Sequence, residues 1–244
     1  MLLYIVRHGK PDYQTDTLKP EGVIQAELAA KRLVKSGIDR IYASPMGRAQ
    51  QTAAPLAEAL GLPIITEPWA RELGDESLVI GPDGSEKPIS RLPSTHLHKK
   101  DYRSLRNDDA LAVVPGLCES GFPARYREIA AGLDKSLEDA GYRRNSEGFY
   151  DVVEPNHRHI ALFCHCAMTR VLLSHMLHIP YQIVGTTLQN HYTGITVLAF
   201  DEESERFGYP HPAQVVPLLL SYGDVGHLYT EDGPLCHAWT GQSV

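Results

Sequence analysis

The pair Arg7 and His8 is the first place in this chain where residue types and spacing point to chemistry. Imidazole acts as a base or nucleophile near neutral pH, and a guanidinium group binds oxyanions through a forked set of donors. The pair follows the apolar run LLYIV at positions 2–6, and Gly9 comes directly after it. An apolar run without alternation predicts a strand covered on both faces, and ligands collect where parallel strands end. We therefore predict that Arg7 and His8 belong to a functional site.

A second histidine, His165, ends another apolar run in the same way. The run HIALFC covers positions 159–164, and Arg170 follows His165 by five residues. A third arginine, Arg48, lies in the segment SPMGRAQQT, whose pattern is that of a helix. Two strands that each end on a histidine, with arginines close by, indicate a shared site at one edge of a sheet.

The cysteines raise the question of a metal site, because Cys164, His165 and Cys166 are consecutive. Common zinc sites place two or more residues between paired cysteines, so this spacing speaks against zinc and we predict no metal. With Cys118 and Cys236 the chain has four cysteines in 244 residues, which is too few for a disulfide framework. We expect free thiols.

The elements that would position these residues alternate along the first part of the chain. Amphipathic helical spacing runs over 18–37 and again over 45–61, and short apolar runs at 38–44 and 62–67 have the pattern of strands. Together with the strand at 2–6, this alternation predicts a three-layer α/β/α sandwich with a mostly parallel sheet.

The alternation of helix and strand patterns stops from about 73 to 122, in a stretch rich in Gly, Pro, Ser and charged residues. A structureless loop of this length is unusual, so we expect an insertion with short elements of its own that acts as a cap over the site. The alternative is a partly disordered surface loop. A basic run in the insertion would select an anionic substrate if it folds over the pocket, and is otherwise a solvated face. It consists of His96, His98, Lys99, Lys100, Arg103 and Arg106.

Regular patterns return after the insertion. They predict helices over 123–141 and 167–179 and strands over 159–165, 194–201 and 213–223. No internal repeat or linker divides the chain. We therefore predict a single domain over 1–244 that carries the capping insertion.

Composition and charge exclude several classes of function. The chain has 43% hydrophobic and 22% charged residues and a formal net charge of −7. A net acidic protein is a poor general binder of nucleic acid or anionic membranes, so any anion site must be local. No apolar run approaches the roughly 20 residues of a membrane span, and the amino terminus lacks the pattern of a secretory signal. We expect a cytoplasmic protein.

Five motifs in order resemble those of the histidine phosphatase superfamily, which includes the cofactor-dependent phosphoglycerate mutases. They are RHG, LKPEGVIQA, YASPMGRAQQTA, EPWARELG and CHCAMTR. The resemblance covers the first 75 or so residues and the segment from about 159 to 200. It implies a phosphoryl-transfer enzyme that needs no metal, because its arginines and histidines supply the positive charge.

The resemblance also implies roles for single residues. His8 matches the nucleophile that becomes phosphohistidine, and Glu72 matches the acid that protonates the leaving group, with Glu67 and Glu76 as fallbacks. His165 matches a second site histidine that acts on the phosphoryl group. The phosphate pocket would be formed by Arg7, Arg48, His165, the Cys166 amide, Ser44 and Gln14, the last at the approximate position of a family asparagine.

Three functions stay open at this point. The favoured hypothesis is a metal-independent phosphatase acting on a small phosphorylated substrate. The second is a phosphoglycerate mutase, which returns the phosphoryl group to another hydroxyl. The third is a catalytically idle protein that binds a phosphorylated ligand. Three further residues, Arg170, Asn190 and His227, are candidates for orienting the site, and neither the substrate nor the oligomeric state follows from the sequence.

Overall fold

The computed structural model describes residues 1–81, 83–89, 92, 101, 105–115, 117–201, 214–230 and 233–234. Short 3₁₀ turns cover Val34–Ser36, Pro68–Ala70, Asp75–Ser77 and Gly226–Leu228. The strands and α-helices, in chain order, are β1 (Leu2–Arg7), β2 (Pro11–Asp12), β3 (Thr17–Leu18), α1 (Pro20–Leu33), β4 (Arg40–Ala43), α2 (Gly47–Leu60), β5 (Ile64–Thr66), β6 (Leu78–Ile80), β7 (Glu86–Pro88), α3 (Asn107–Val113), α4 (Phe122–Glu138), β8 (Tyr142–Arg144), β9 (Tyr150–Val152), β10 (His159–Cys164), α5 (Cys166–Leu177), α6 (Tyr181–Thr187), β11 (Ile195–Ala199), β12 (Gln214–Val215), β13 (Leu218–Asp224), β14 (Tyr229–Thr230) and β15 (Gly233–Pro234).

The main sheet of the described residues has six strands in the order β13-β11-β1-β10-β4-β5. The pairs β1–β10, β10–β4 and β4–β5 are parallel, whereas β11 runs antiparallel to both β1 and β13. This mixed, mostly parallel sheet confirms the predicted α/β class.

The side chains on the two faces of the main sheet belong to two separate hydrophobic clusters. In β10, Ile160 and Leu162 belong to the cluster beneath α4, α5 and α6. Ala161 and Phe163 belong to the cluster beneath α1 and α2. Because both faces of β10 are covered, its sequence is apolar throughout, as expected of a central parallel strand.

The register of the parallel strands brings their polar ends together. Arg7 pairs with Cys164, so His8 and His165 occupy neighbouring positions just beyond the two strands. Phe163 pairs with Ala43, which puts Ser44 at the same edge. The ladder continues past the strand ends, because the His8 N–H donates to the Cys164 carbonyl at 3.0 Å and the Ser44 N–H donates to the Phe163 carbonyl at 2.9 Å.

A close contact of two glycines holds α1 against the turn after β1. A Cβ on Gly9 would lie 2.6 Å from the Gly22 carbonyl oxygen, and a Cβ on Gly22 would lie 2.2 Å from the Lys10 carbonyl oxygen. Any larger residue at either place would collide with backbone. The first turn of α1 therefore rests directly on the segment that carries His8.

The described part of the insertion contains the β6–β7 hairpin and α3. Its buried residues Val79, Ile89, Leu111, Val114 and Leu117 join the cluster beneath α4, α5 and α6. Arg106 is exposed. The other members of the predicted basic run, His96, His98, Lys99, Lys100 and Arg103, lie outside the described residues.

Several elements of the structure differ from the sequence-based expectation. The predicted strand over 213–223 is two strands: β12 pairs with β9, and β13 is an outer strand of the main sheet. Pro217, which has no N–H to donate, stands between them. The hairpin of β8 with β9 and the helix α6 were not predicted. Among the described helices, none has the length and apolar character needed to cross a membrane.

Candidate functional site

His8 is buried, with 2% of its surface exposed, and its ring is oriented by the backbone. Its Nδ1 lies 2.7 Å from the Gly9 carbonyl oxygen. A carbonyl can only accept, so the hydrogen bond assigns the proton to Nδ1 and leaves the lone pair on Nε2. Burial lowers the pKa of His8 to about 3, and the charges of Arg7 and Arg48 act in the same direction. The imidazole is therefore neutral, the state that a nucleophile requires.

His165 lies beside His8, with ring centroids 5.2 Å apart and planes at 60°. It is the N-cap residue of α5 and is fully buried. Its Nε2 is 2.8 Å from the Ser44 Oγ, and the Met46 N–H donates to that same oxygen at 3.3 Å. If Ser44 donates its own proton to Nε2, the His165 proton sits on Nδ1, which has no partner among the described residues. Burial lowers the pKa of His165 as well.

Arg7 is fixed by the loop that follows α6. Its Nη1 donates to the Asn190 carbonyl at 2.5 Å, and its guanidinium carbon lies 4.2 Å above the centre of the Tyr192 ring. The Tyr192 ring is also 5.8 Å from the His8 ring. These contacts orient the Arg7 guanidinium through residues that also pack beside His8.

Arg48, in the first turn of α2, is 5% exposed. Its Nη1 donates to a carboxylate oxygen of Asp16, and the other oxygen of Asp16 accepts the Gly47 N–H at 2.7 Å. Asp16 thus holds Arg48 and caps α2 at once. Asp16 was not among the residues predicted from the sequence. Its backbone has a φ of 52°, a conformation that aspartate tolerates better than most residues.

Glu72 follows the Pro68–Ala70 turn and faces the same centre from the insertion side. Burial raises the pKa of its carboxyl, while the Leu73 N–H, Arg7, Arg48 and the Ala167 N–H lower it. The Leu73 N–H donates to Glu72 Oε1 at 3.0 Å. Influence from Arg7 and Arg48 together with a hydrogen bond from α5 places the carboxyl within the cluster, and its raised pKa favours the protonated form that a general acid needs.

The two fallback acids lie elsewhere. Glu76 is paired with Arg71 at 2.9 Å and with Arg125 at 3.4 Å. Glu67 accepts a hydrogen bond from Ser136 in α4 at 3.4 Å, and burial raises its pKa. Of the three carboxyl groups, Glu72 is the one whose pKa is lowered by Arg7 and Arg48, the arginines beside the histidines.

The remaining predicted phosphate-site residues have different positions. Cys166 is the first residue of α5, and its thiol donates to the Asn190 carbonyl at 3.8 Å, close to the Arg7 contact. Gln14 is exposed in the turn between β2 and β3, where its N–H donates to Asp12 at 2.9 Å. The structure records no hydrogen bond between the Gln14 side chain and the described residues of the cluster. From this turn it is Asp16 that reaches a site arginine.

Arg170 orients the loop that holds Arg7. It is 6% exposed, and it donates to the Leu188 carbonyl at 2.7 Å and to the Gln189 side chain at 2.9 Å. The next residue is Asn190, whose carbonyl accepts the hydrogen bond from Arg7. His227 lies 3.0 Å from the Thr193 hydroxyl in the same region, and burial lowers its pKa to about 4.

The thiols Cys118, Cys164 and Cys166 are free, and Cys236 lies outside the described residues. Burial raises the pKa of Cys164 to about 12, so this thiol is protonated. Within the described ranges, no three His, Cys, Asp or Glu side chains are grouped as metal ligands would be.

Similarity to known sequences covers part of the chain. The family model of the histidine phosphatase superfamily (branch 1) matches residues 3–76. A protein from Yersinia pestis (strain Pestoides F), named a probable phosphoglycerate mutase GpmB, is 41% identical over 148 residues. The match covers 56% of this chain and 63% of that protein, so the chain spans less than two thirds of the relative's length.

Solved structures with similar folds cover nearly the whole chain. A phosphoserine phosphatase from Entamoeba histolytica, in complex with 3-phosphoglyceric acid, has a TM-score of 0.59 and 20% identity, over 93% of this chain and 98% of the other. An alpha-ribazole phosphatase from Shigella flexneri has a TM-score of 0.56 and 16% identity, over 92% and 97%. At such identities the likeness shows a common fold.

The region matched by the family model contains Arg7, His8, Arg48 and Glu72, which the fold gathers at one edge of the sheet. His165 reaches the same place from beyond that region. Sequence match and strand arrangement agree: this chain is similar to the histidine phosphatase superfamily (branch 1) over residues 3–76, and its fold is that of the solved phosphatase structures compared with it.

Proposed function

We propose that this protein is a metal-independent phosphatase that hydrolyses a small phosphomonoester through a phosphohistidine on His8. Glu72 is the general acid. Arg7, Arg48 and His165 hold the phosphoryl oxygens, with the Cys166 amide at the start of α5 as a further donor. The match of residues 3–76 to the superfamily model and the similar solved structures named as phosphatases support this proposal.

The observation that carries the proposal is a set of three buried donors with no partner among the described residues. They are Arg7 Nε, Arg48 Nε and His165 Nδ1. Leaving such a group unpaired costs about 1–3 kcal/mol, and more for a charged one. A tetrahedral oxyanion beside His8 would satisfy all three with charge-assisted hydrogen bonds.

The first step transfers the phosphoryl group to the enzyme. The lone pair of His8 Nε2 attacks phosphorus as the bond to the leaving oxygen breaks, and the Glu72 carboxyl gives its proton to that oxygen. The Gly9 carbonyl keeps the other nitrogen protonated. Charge on the equatorial oxygens is stabilised by the arginines and His165, and most of the catalysis comes from this positioning.

The second step reverses the roles. Water attacks phosphorus, the Glu72 carboxylate accepts its proton, and the N–P bond to His8 breaks. Phosphate leaves with His8 neutral and Glu72 protonated, which restores the starting state. The insertion over 73–122 is part of the proposal, as a cap that supplies contacts to the substrate.

The test uses the purified protein with EDTA and 4-nitrophenyl phosphate. We expect turnover that H8A abolishes, together with an acid-labile phosphoenzyme that forms in the wild type and not in H8A. H157A is the control, because His157 lies near Met1 at the opposite edge of the sheet. Activity that survives in H8A, or that EDTA removes, would overturn the proposal.

A mutase is the second candidate, and the 41% identity to the protein named a probable phosphoglycerate mutase favours it. Both reactions share the phosphohistidine and differ in the acceptor. Incubation with 3-phosphoglycerate distinguishes them: a phosphatase releases inorganic phosphate, whereas a mutase forms 2-phosphoglycerate with little free phosphate.

A further inference from the structure

One buried arginine outside the cluster, Arg125 in α4, contacts the backbone just before Glu72. It is 3% exposed. Its Nη2 donates to the Trp69 carbonyl at 2.9 Å and to the Arg71 carbonyl at 2.8 Å. These carbonyls belong to the residues three and one positions before Glu72, so a single nitrogen fixes the approach of the chain to the acid.

The same guanidinium also contacts the chain after Glu72. Arg125 Nε lies 3.4 Å from Glu76 Oε1 in an ion pair, and the same oxygen accepts a hydrogen bond from Arg71 at 2.9 Å. Arg125 Nη1 is paired with Glu128 on its own helix at 2.7 Å. The side chain is thus anchored to α4 on one side and to both flanks of Glu72 on the other.

This segment depends on contacts from outside because residues 72–74 belong to no helix or strand. Trp69 packs against α4 where Gly132 leaves room, since a Cβ there would lie 2.2 Å from the Trp69 Cγ. The position of α4 therefore sets the position of the Glu72 backbone. An irregular segment held in this way keeps a defined geometry.

Arg125 does not act on Glu72 through its charge. The charge of the Arg125 guanidinium is paired with the carboxylates of Glu76 and Glu128. The arginines that lower the pKa of Glu72 are Arg7 and Arg48. Its effect passes through the backbone. Loss of Arg125 should therefore misplace the carboxyl and leave the phosphate pocket in place.

We propose that Arg125 is the positioning residue for Glu72: it holds the general acid within reach of the leaving oxygen. The inference rests on the proposed function. It predicts that the effect of losing Arg125 depends on the substrate, because only a leaving group that must be protonated requires the general acid in its correct position. An alkyl phosphate needs this proton, and 4-nitrophenolate departs without it.

The test compares R125Q with wild type on β-glycerophosphate and on 4-nitrophenyl phosphate. The quantity compared is kcat/KM, because it reports the step in which the leaving group departs and not the later hydrolysis of the phosphoenzyme, in which Glu72 acts for both esters. General acid catalysis contributes about 10²–10⁴-fold, so we expect R125Q to lose about 30-fold or more in kcat/KM on the alkyl ester. We expect a loss of no more than about threefold on the aryl ester. E72Q should have the same pattern with a larger loss, and E72Q combined with R125Q should lose little more than E72Q.

The ratio of the two activities is measured on one sample, so a partly unfolded fraction lowers both and leaves the ratio unchanged. R144Q is the matched control: Arg144 donates to the His175 carbonyl at 3.1 Å, away from Glu72, and the ratio should stay that of wild type. If R125Q does not fold, R125K replaces it. Equal loss on both esters in the folded variant would overturn the role of Arg125. Full activity of H8A would instead overturn the proposed function.

Discussion

At the residue scale, the two imidazoles of the site differ in which nitrogen is occupied. The His8 Nδ1–H donates a hydrogen bond to the Gly9 carbonyl, and His165 Nε2 is hydrogen-bonded to the Ser44 hydroxyl. The free atoms are therefore a lone pair on His8 and, with Ser44 as donor, an N–H on His165. In the reaction that we propose, His8 would attack phosphorus and His165 would donate to a phosphoryl oxygen, although both rings are buried and burial lowers both pKa values.

Asp16 leads to the first prediction at this scale. Its carboxylate holds Arg48 and the Gly47 N–H, so D16A should release a buried guanidinium from its pairing. A hydrogen bond to a charged group is worth about 1.5–3 kcal/mol, and we expect inorganic phosphate to inhibit D16A about tenfold more weakly than wild type. The measurement is the competitive inhibition constant.

D12A is the control for this experiment, because Asp12 lies in the same hairpin and accepts the Gln14 N–H. Inorganic phosphate should inhibit D12A as strongly as it inhibits wild type. Unchanged inhibition in D16A would show that Asp16 only caps α2.

Some site residues could be predicted from sequence and others could not, for a physical reason. Arg7 and His8 stand where a strand ends, and strand ends are visible as a change from apolar to polar residues. Asp16 stands in a turn of polar residues, where nothing local separates it from Gln14. Arg125 looks like any charged residue of an amphipathic helix, because its partners are distant in sequence.

At the scale of elements, the site depends on how closely α1 approaches the turn after β1. Gly9 and Gly22 make the approach possible, and the Gly9 N–H donates to Thr52 of α2 at 3.0 Å. Two helices thereby fix the backbone directly after His8.

We predict that G22A destabilises the protein by about 1–3 kcal/mol and lowers kcat, because its Cβ would meet the Lys10 carbonyl oxygen. G61A is the matched control. Gly61 ends α2 with φ of 65° and no atom within 4 Å of an added Cβ, so it should cost about 1 kcal/mol through strain alone. Its kcat should stay that of wild type. Urea unfolding and turnover of each variant check the prediction; an active, stable G22A would contradict it.

Long elements with clear periodicity were predicted, and short ones were not. α1, α2 and α5 show apolar spacing over 12 or 14 residues, whereas β8 and β9 have three residues each. Three residues cannot establish a period. The boundary between β12 and β13 depends on which strand each pairs with, and that choice is made by tertiary contacts.

At the scale of the whole molecule, the buried site makes stability depend on pH. The native state keeps His8 and His165 neutral at pH values where the unfolded chain protonates them. Because the unfolded state then binds more protons, the free energy of unfolding falls as the pH falls from about 6.5 towards 3. Glu72 acts in the opposite sense, since its raised pKa lowers stability as the pH rises above the ordinary carboxyl range.

The resulting prediction compares H8N with wild type. Asparagine does not titrate and can donate to the same Gly9 carbonyl, so the loss of stability between pH 7 and pH 5 should be smaller in H8N. Thermal unfolding at both pH values measures it. H157N should behave like wild type, and an H8N that loses as much stability as wild type would contradict the pKa argument.

The order of strands in the sheet was beyond sequence analysis, since it is set by pairing between distant segments. β10 lies between β1 and β4, although more than a hundred residues separate it from either of them in the chain. This position has a consequence for synthesis. While a ribosome is still translating the first 150 residues, β1 and β4 have no strand to join them, and the nascent chain cannot close its centre. The site can therefore form only late in synthesis, after the segment ending in His165 has left the exit tunnel and β10 has paired with β1 and β4.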